Sequence, residues 1–166
     1  MTVSGWVYLD STLRHGSFVN IGSVNSGYTI GVGNSYLEDD GNNLNMLING
    51  IAWMQTGAAI GTGWHHFAMR LGTQFQAYLD GKPVGAAFSS ANVIAPAGGL
   101  TIGGYSDYAP RVLTGEMDEI RISNTSRSTN WIWAEWLNQA SNSVFNLYSA
   151  AEWHTPPPVG TMLIVK

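Results

Sequence analysis

The sequence predicts an all-β fold, a two-sheet antiparallel β-sandwich with one short C-terminal helix near residues 129–139. Three observations predict it. Short apolar runs alternate with period two, which puts every second side chain on one face of a strand. Turn residues punctuate these runs at intervals of roughly 8–12 residues, the rhythm of a sandwich. The composition is polar-neutral: apolar residues make up 45% and charged residues 11%, with 20 glycines and 7 tryptophans. Charged residues usually form about 25% of a soluble domain, so solubility here rests on Asn, Ser, Thr, Gln and Gly.

The elements follow in order. TVSGWVYL alternates from the start and reads as a strand at 2–9, with further strands at 17–22, 27–32 and 43–48 between Gly, Asn and Ser breaks. Asn49-Gly50 signals a tight turn, because both residue types tolerate positive φ, and leads into a strand at 51–54. In WHHFAMRL the side chains of Phe67, Met69 and Leu71 share a face, giving a strand at 65–71. In QFQAYLDG, Phe75, Ala77 and Leu79 fall on one face and Gln74, Gln76 and Tyr78 on the other, a strand at 74–79. Asp80-Gly81 then turns into a strand at 84–88, and strands at 99–103, 113–122 and 143–148 complete the set. One run breaks parity. In GEMDEIRIS, Met117 lies on the odd face while Ile120 and Ile122 lie on the even one. A β-bulge near Asp118-Glu119 repairs this, the alternative being a central strand buried on both faces.

Ser128 is a good N-cap for the helix, whose wheel is apolar almost all round and interrupted by Glu135 and Asn138. Residues 1–149 are read as one domain, a size that supports a sizeable core. Residues 150–166 form a tail, in which a Pro-terminated linker (AAEWHTPPP) precedes a strand-like VGTMLIV expected to lie against a sheet edge.

Several function classes are excluded. Net charge is −4 with only 7 Lys and Arg, leaving no electrostatic footprint for nucleic acid or an anionic membrane. There is no cysteine, hence no disulfide framework, Cys-type zinc site or thiol nucleophile. No apolar run of about 18 residues predicts membrane insertion. Met1 leads directly into a strand-like run rather than a basic-apolar-small leader. A GxSxG nucleophile elbow and a phosphate loop are also absent.

Four blocks then occur in order: WHHFA, YLDGKPVG, IGG and GEMDEIRISNTSRS. On these, residues 2–139 resemble a laminin-G-like jelly roll of the concanavalin A-like lectin/glucanase superfamily. That resemblance implies a fold hosting lectins, adhesion modules, virion proteins and a few glucanases. It also implies that Trp131, Ile132 and Trp136 pack onto the sandwich while Trp133, where relatives carry a polar residue, points outward. The chain departs from the family at Thr2, before which such domains usually carry a further strand.

Glucanases of the superfamily carry a strand like E-x-D-x-E, with all three carboxylates on one face. Here Glu116 and Asp118 occupy two of those places, but Ile120 holds the third, so no catalytic residue is expected. Asp118, Glu119 and Arg121, with Arg127, read instead as a set of ion pairs and turn tethers. His65 and His66 are strand neighbours facing opposite sides and cannot chelate one ion together. No cofactor is expected. The one ion that the resemblance admits is Ca²⁺ at a rim site, with Asp39 and Asp40 of the acidic loop 38–43 and Asp107 as oxygen ligands, a solvated turn being the alternative. For a glycan, Tyr105, Tyr108, Tyr36 and Trp53 are the aromatic candidates in or near loops.

These readings converge on a non-catalytic surface module found outside the cell or on a virion. The main expectation is a structural, decoration or tail component of a virion, assembling with other protein subunits as a homo-oligomer through Trp133, Met162, Leu163 and Ile164. The alternative is a secreted or cell-surface carbohydrate-binding or adhesion module.

Overall fold

A computed structural model of the chain describes residues 1–10, 16–23, 25–33, 42–48, 52–89, 95–105 and 112–145. Within them the strands are β1 (Thr2–Leu9), β2 (Gly16–Ser23), β3 (Ser26–Val32), β4 (Asn43–Ile48) and β5 (Ala52–Ala59). They continue with β6 (Gly63–Leu71), β7 (Gln74–Leu79), β8 (Lys82–Ser89), β9 (Leu100–Ile102) and β10 (Glu116–Ser123). The helix α1 (Thr129–Ala140) and a helical turn α2 (Asn142–Phe145) follow. The expected strand at 143–148 is therefore corrected over its described residues. Its β-prone residues follow directly on α1, and the chain adds one more helical turn against that helix instead of leaving for a sheet.

The strands form two five-stranded antiparallel sheets, in the orders β10-β1-β6-β7-β8 and β5-β4-β3-β2-β9. Alternation in the sequence becomes layering. Val3, Val7 and Leu9 of β1 and Phe67, Met69 and Leu71 of β6 meet Phe18, Ile30 and Leu44 of the other sheet in one buried core. Phe18 and Phe67 bridge the sheets with ring centroids 4.9 Å apart. Full burial of such side chains contributes about 1.5–3 kcal/mol each.

The parity break in β10 is a bulge. Ser4 pairs with Arg121 but Trp6 pairs with Asp118, so Glu119 and Ile120 together stand opposite Gly5. Glu119 takes a left-handed φ of 53°, with its backbone N–H donating to Asp118 Oδ1 at 2.7 Å. The bulge turns Ile120 inward, where its Cδ1 lies 2.4 Å from where a Cβ on Gly5 would sit. A side chain on Gly5 would therefore press on the tip of Ile120 and on the Phe67 ring, so the site favours glycine by close approach rather than by its dihedrals. Because β10 is an edge strand, the bulge and its charged flank also blunt it against pairing with another chain.

Candidate functional site

Part of the outer face of the first sheet is covered, because α1 lies over Ser4 of β1, Ala68 of β6 and Tyr78 of β7. Ser128 caps the helix, its hydroxyl accepting from Trp131 N at 3.2 Å. Ile132, fully buried, sits on Ala68 and Tyr78 with Trp131 at their margin, and the Tyr78 hydroxyl meets Thr129 Oγ1 at 3.0 Å. The approach to the helix is tethered: Thr2 Oγ1 donates to Thr125 O at 2.8 Å and accepts from Arg127 N at 2.8 Å. The Arg127 guanidinium stacks 4.7 Å from the Trp131 ring.

Residues 132, 135, 136 and 139 recur at helical spacing and so share the sheet-facing side of α1. Glu135 plugs a polar centre beneath the helix. Its carboxylate accepts from Ser4 Oγ at 3.1 Å and Arg121 Nη1 at 2.7 Å, and stands 3.6 Å from His66 Nε2. Burial opposes its ionisation, but His66, Arg121 and Ser4 outweigh that and hold the carboxyl below the usual range. Arg121 also pairs with Glu119 across the bulge.

Between the C-terminal half of α1 and the sheet opens a cleft of about 600 Å³. Trp6, Trp64 and Trp136 give it three indole walls. Trp64 is 45% exposed, which makes it the most open of the three and leaves it resting on Tyr8 at a centroid distance of 5.6 Å. Trp136 lies on the β7–β8 turn, where Asp80 (φ 48°) and Gly81 (φ 74°) are both left-handed. A Cβ on Gly81 would fall 3.0 Å from the Trp136 ring, so the glycine serves both turn and wall.

The polar lining comes from His65, Asp80, Asp118, Glu119 and Gln139. Asp80 Oδ2 meets His65 Nδ1 at 2.9 Å, and its Oδ1 accepts from His66 N at 2.9 Å. The hydrogen bond to Asp80 is the main force raising the His65 pKa, against partial burial. Burial works against ionised Asp80 too, but His65 and the His66 N–H overcome it and lower its pKa. Trp6 Nε1 and His65 Nε2, on residues of this wall, are buried and have no hydrogen-bond partner among the described residues.

The sequence-derived candidates fall in several places. Asp118 lines the cleft, Arg121 clamps Glu135 and Glu119, and Arg127 stacks on Trp131. Trp133 stands 44% exposed. Trp136, expected to be buried, is only half-buried because it walls the cleft. Tyr105, expected on an exposed rim, is 5% exposed with its hydroxyl directed at Ser23 O, so it serves packing rather than a platform. Asp39, Asp40, Asp107, Tyr36, Tyr108, Met162, Leu163, Ile164 and the side chain of Trp53 lie outside the described residues. Among the described residues no group of three or more His, Cys, Asp or Glu could hold a metal ion. Nor is any helix among them long and apolar enough to cross a membrane. The third outer-face place after Glu116 and Asp118 belongs to Arg121, not Ile120, since the bulge turns Ile120 into the core. Sequence reasoning missed the cleft itself. The Trp6, Trp64 and Trp136 indoles were its only visible signal, scattered over two strands and a helix.

A family model described as the concanavalin A-like lectin/glucanases superfamily matches residues 1–133. The chain belongs to this superfamily. Solved members of the jelly-roll type superpose well despite low identity. A putative carbohydrate binding protein from Bacteroides ovatus shares 17% identity with a TM-score of 0.65, over 80% of this chain and 39% of that one. The CBM40 of the Ruminococcus gnavus IT-sialidase, bound to α2,3-sialyllactose, shares 12% with a TM-score of 0.62, over 81% and 80%. Domain 4 of an extracellular arabinanase from Geobacillus stearothermophilus, in complex with arabinotriose, shares 20% with a TM-score of 0.61, over 80% and 64%. The superfamily domain thus spans well under half of the Bacteroides ovatus protein, and 23% of the Trypanosoma rangeli sialidase that it also resembles. No curated protein matches the chain in sequence.

Proposed function

We propose that this chain is a non-catalytic carbohydrate-recognition module, acting outside the cell, whose glycan lies in the tryptophan cleft. One observation carries the reading: three indoles and a set of planar polar side chains line a single open cleft of about 600 Å³. That size suits a small ligand, and indole faces stack on the C–H faces of sugar rings while carboxylate, imidazole and amide groups bond hydroxyls. Carbohydrate complexes among the structural neighbours support the same reading over assembly in a virion. The non-catalytic part rests on the outer face of β10, where Arg121 rather than a third carboxylate follows Glu116 and Asp118.

A glycan array followed by calorimetry on the best ligand tests this, with Trp64→Ala as the control. Trp64 is 45% exposed, so its loss should leave melting unchanged while weakening binding by at least about tenfold. A folded protein that retains no glycan, or one whose binding survives both Trp64→Ala and Trp136→Ala, overturns the reading. A rim calcium site on Asp39, Asp40 and Asp107 is a separate proposal. A rise in melting temperature when CaCl₂ is added to chelator-treated protein supports it, and an unchanged melt dismisses it.

A further inference from the structure

The charge of the cleft narrows its ligand further. Its walls hold the carboxylates of Asp80, Asp118 and Glu119, and none of its described lining residues is Lys or Arg. Two of those carboxylates have basic partners: Asp80 has the His65 imidazole, and Glu119 has Arg121, which stands behind the wall. Asp118 has none. Its Oδ1 accepts the Glu119 N–H, and no ion pair reaches it among the described residues. It is solvent-exposed on the outer face, directly across the strand pair from Trp6. An unneutralised carboxylate beside indole faces is the arrangement that attracts a cation, by charge and by the negative face of the ring. A sialic or uronic acid would instead meet the unpaired carboxylate of Asp118 with no described guanidinium in the lining to receive it, and like charges so placed repel.

We propose that the cleft selects sugars bearing a free, protonated amino group, glucosamine-type residues, with the ammonium at Asp118 and the rings against Trp64 and Trp136. This rests on the carbohydrate-recognition reading and deepens it. A lysine side chain offers the same ammonium. Gln139 and the His65–Asp80 pair, however, supply hydroxyl-bonding groups along the cleft that an alkyl chain would leave unused.

The test is calorimetry at low and high salt with a glucosamine tetramer, its fully N-acetylated counterpart, sialyllactose and a lysine tetrapeptide. The free-amine sugar is expected to bind at least about tenfold tighter than the N-acetylated one, the span of one cation–π and ion-pair contact. Salt should weaken that preference, and Asp118→Asn should bring the two affinities to within about twofold. Equal binding of both tetramers refutes the charge inference and leaves glycan recognition standing. Binding of neither tetramer by folded protein overturns the amino-sugar inference, and glycan recognition falls with it only if the array also retains no glycan. Tighter binding of sialyllactose or of the peptide overturns the ligand class, and a preference unmoved by Asp118→Asn overturns the site.

Discussion

Glu135 is the side chain on which the seating of α1 turns, and its removal should show it. Glu135→Ala deletes the acceptor used by Ser4 and Arg121 and the carboxylate nearest His66. The losses are unequal. Arg121 is 43% exposed and keeps Glu119, so its share is that of a surface pair, about 0–1 kcal/mol. Ser4 is buried and its bond runs to a charged acceptor, which makes about 1.5–3 kcal/mol the larger part. A loss of about 3 kcal/mol lowers Tm by about 6–12 °C in a domain of this size. The pH dependence supplies an independent check. The folded carboxyl titrates below its unfolded value of about 4.3. Its stabilisation is therefore fully present above that value and lost as pH falls through the folded pKa. Thermal melts of wild type and Glu135→Gln, which keeps shape and one acceptor, should differ at pH 7 and converge on acidification. A Glu135→Ala Tm within 2 °C of wild type, or a Gln gap that persists in acid, would refute the argument.

Other perturbations separate the parts. Ile132→Ala, at a fully buried site, should cost about 2–5 kcal/mol in urea denaturation, and a cost below 1 kcal/mol would mean that the helix is not seated through it. Gly81→Ala meets both a φ of 74° and the Trp136 ring, so it should destabilise by at least about 1 kcal/mol and change tryptophan emission. An unaltered spectrum would separate the turn from the cleft wall. The His65–Asp80 pair has a raised histidine and a lowered aspartate pKa. Its contribution from His65 is full below about pH 6.5 and lost above the folded pKa, while that from Asp80 is full above about pH 3.9 and lost below its own. The Tm difference between wild type and Asp80→Asn should therefore peak near pH 4–6.5, and a flat difference would count against the pair.

Most of the sandwich was legible because alternation reports a half-buried strand directly. QFQAYL and WHHFAMRL put Phe75, Ala77, Phe67 and Met69 in the core as their period demands. The bulge was legible too, since a parity break in GEMDEIRIS has few physical repairs. What could not be read was coverage. Nothing in the alternation of TVSGWVYL tells whether Thr2, Ser4 and Trp6 face water or another layer; α1 reaches Ser4 through Glu135, and the segment leading into α1 tethers Thr2. Glu135 looked like an interruption of an apolar wheel, whereas it is the acceptor for Ser4 and Arg121 on the polar outer face under the helix. Tyr105 was misplaced for the same reason: its loop position suggested exposure, but long-range packing decides exposure.

The helix therefore has two tasks whose energetics are linked. Ile132 and Glu135 fix it to the sheet, and one turn further on Trp136, Gln139 and Ala140 complete a wall that otherwise consists of Trp6, Trp64 and the Asp80 turn. A ligand that touches both walls binds only the docked arrangement, so the free energy holding the helix down and the free energy of binding enter the same equilibrium. If docking is partial, apparent affinity falls by the docked fraction. The polar centre at Glu135 is the more exacting of the two anchors, because it is satisfied at one helix register only. An apolar plug would hold α1 to the sheet in several registers, and each would place Trp136 at a different height over Gly81. A buried, hydrogen-bonded carboxylate is a costly way to dock a helix, but it fixes the indole that closes the cleft.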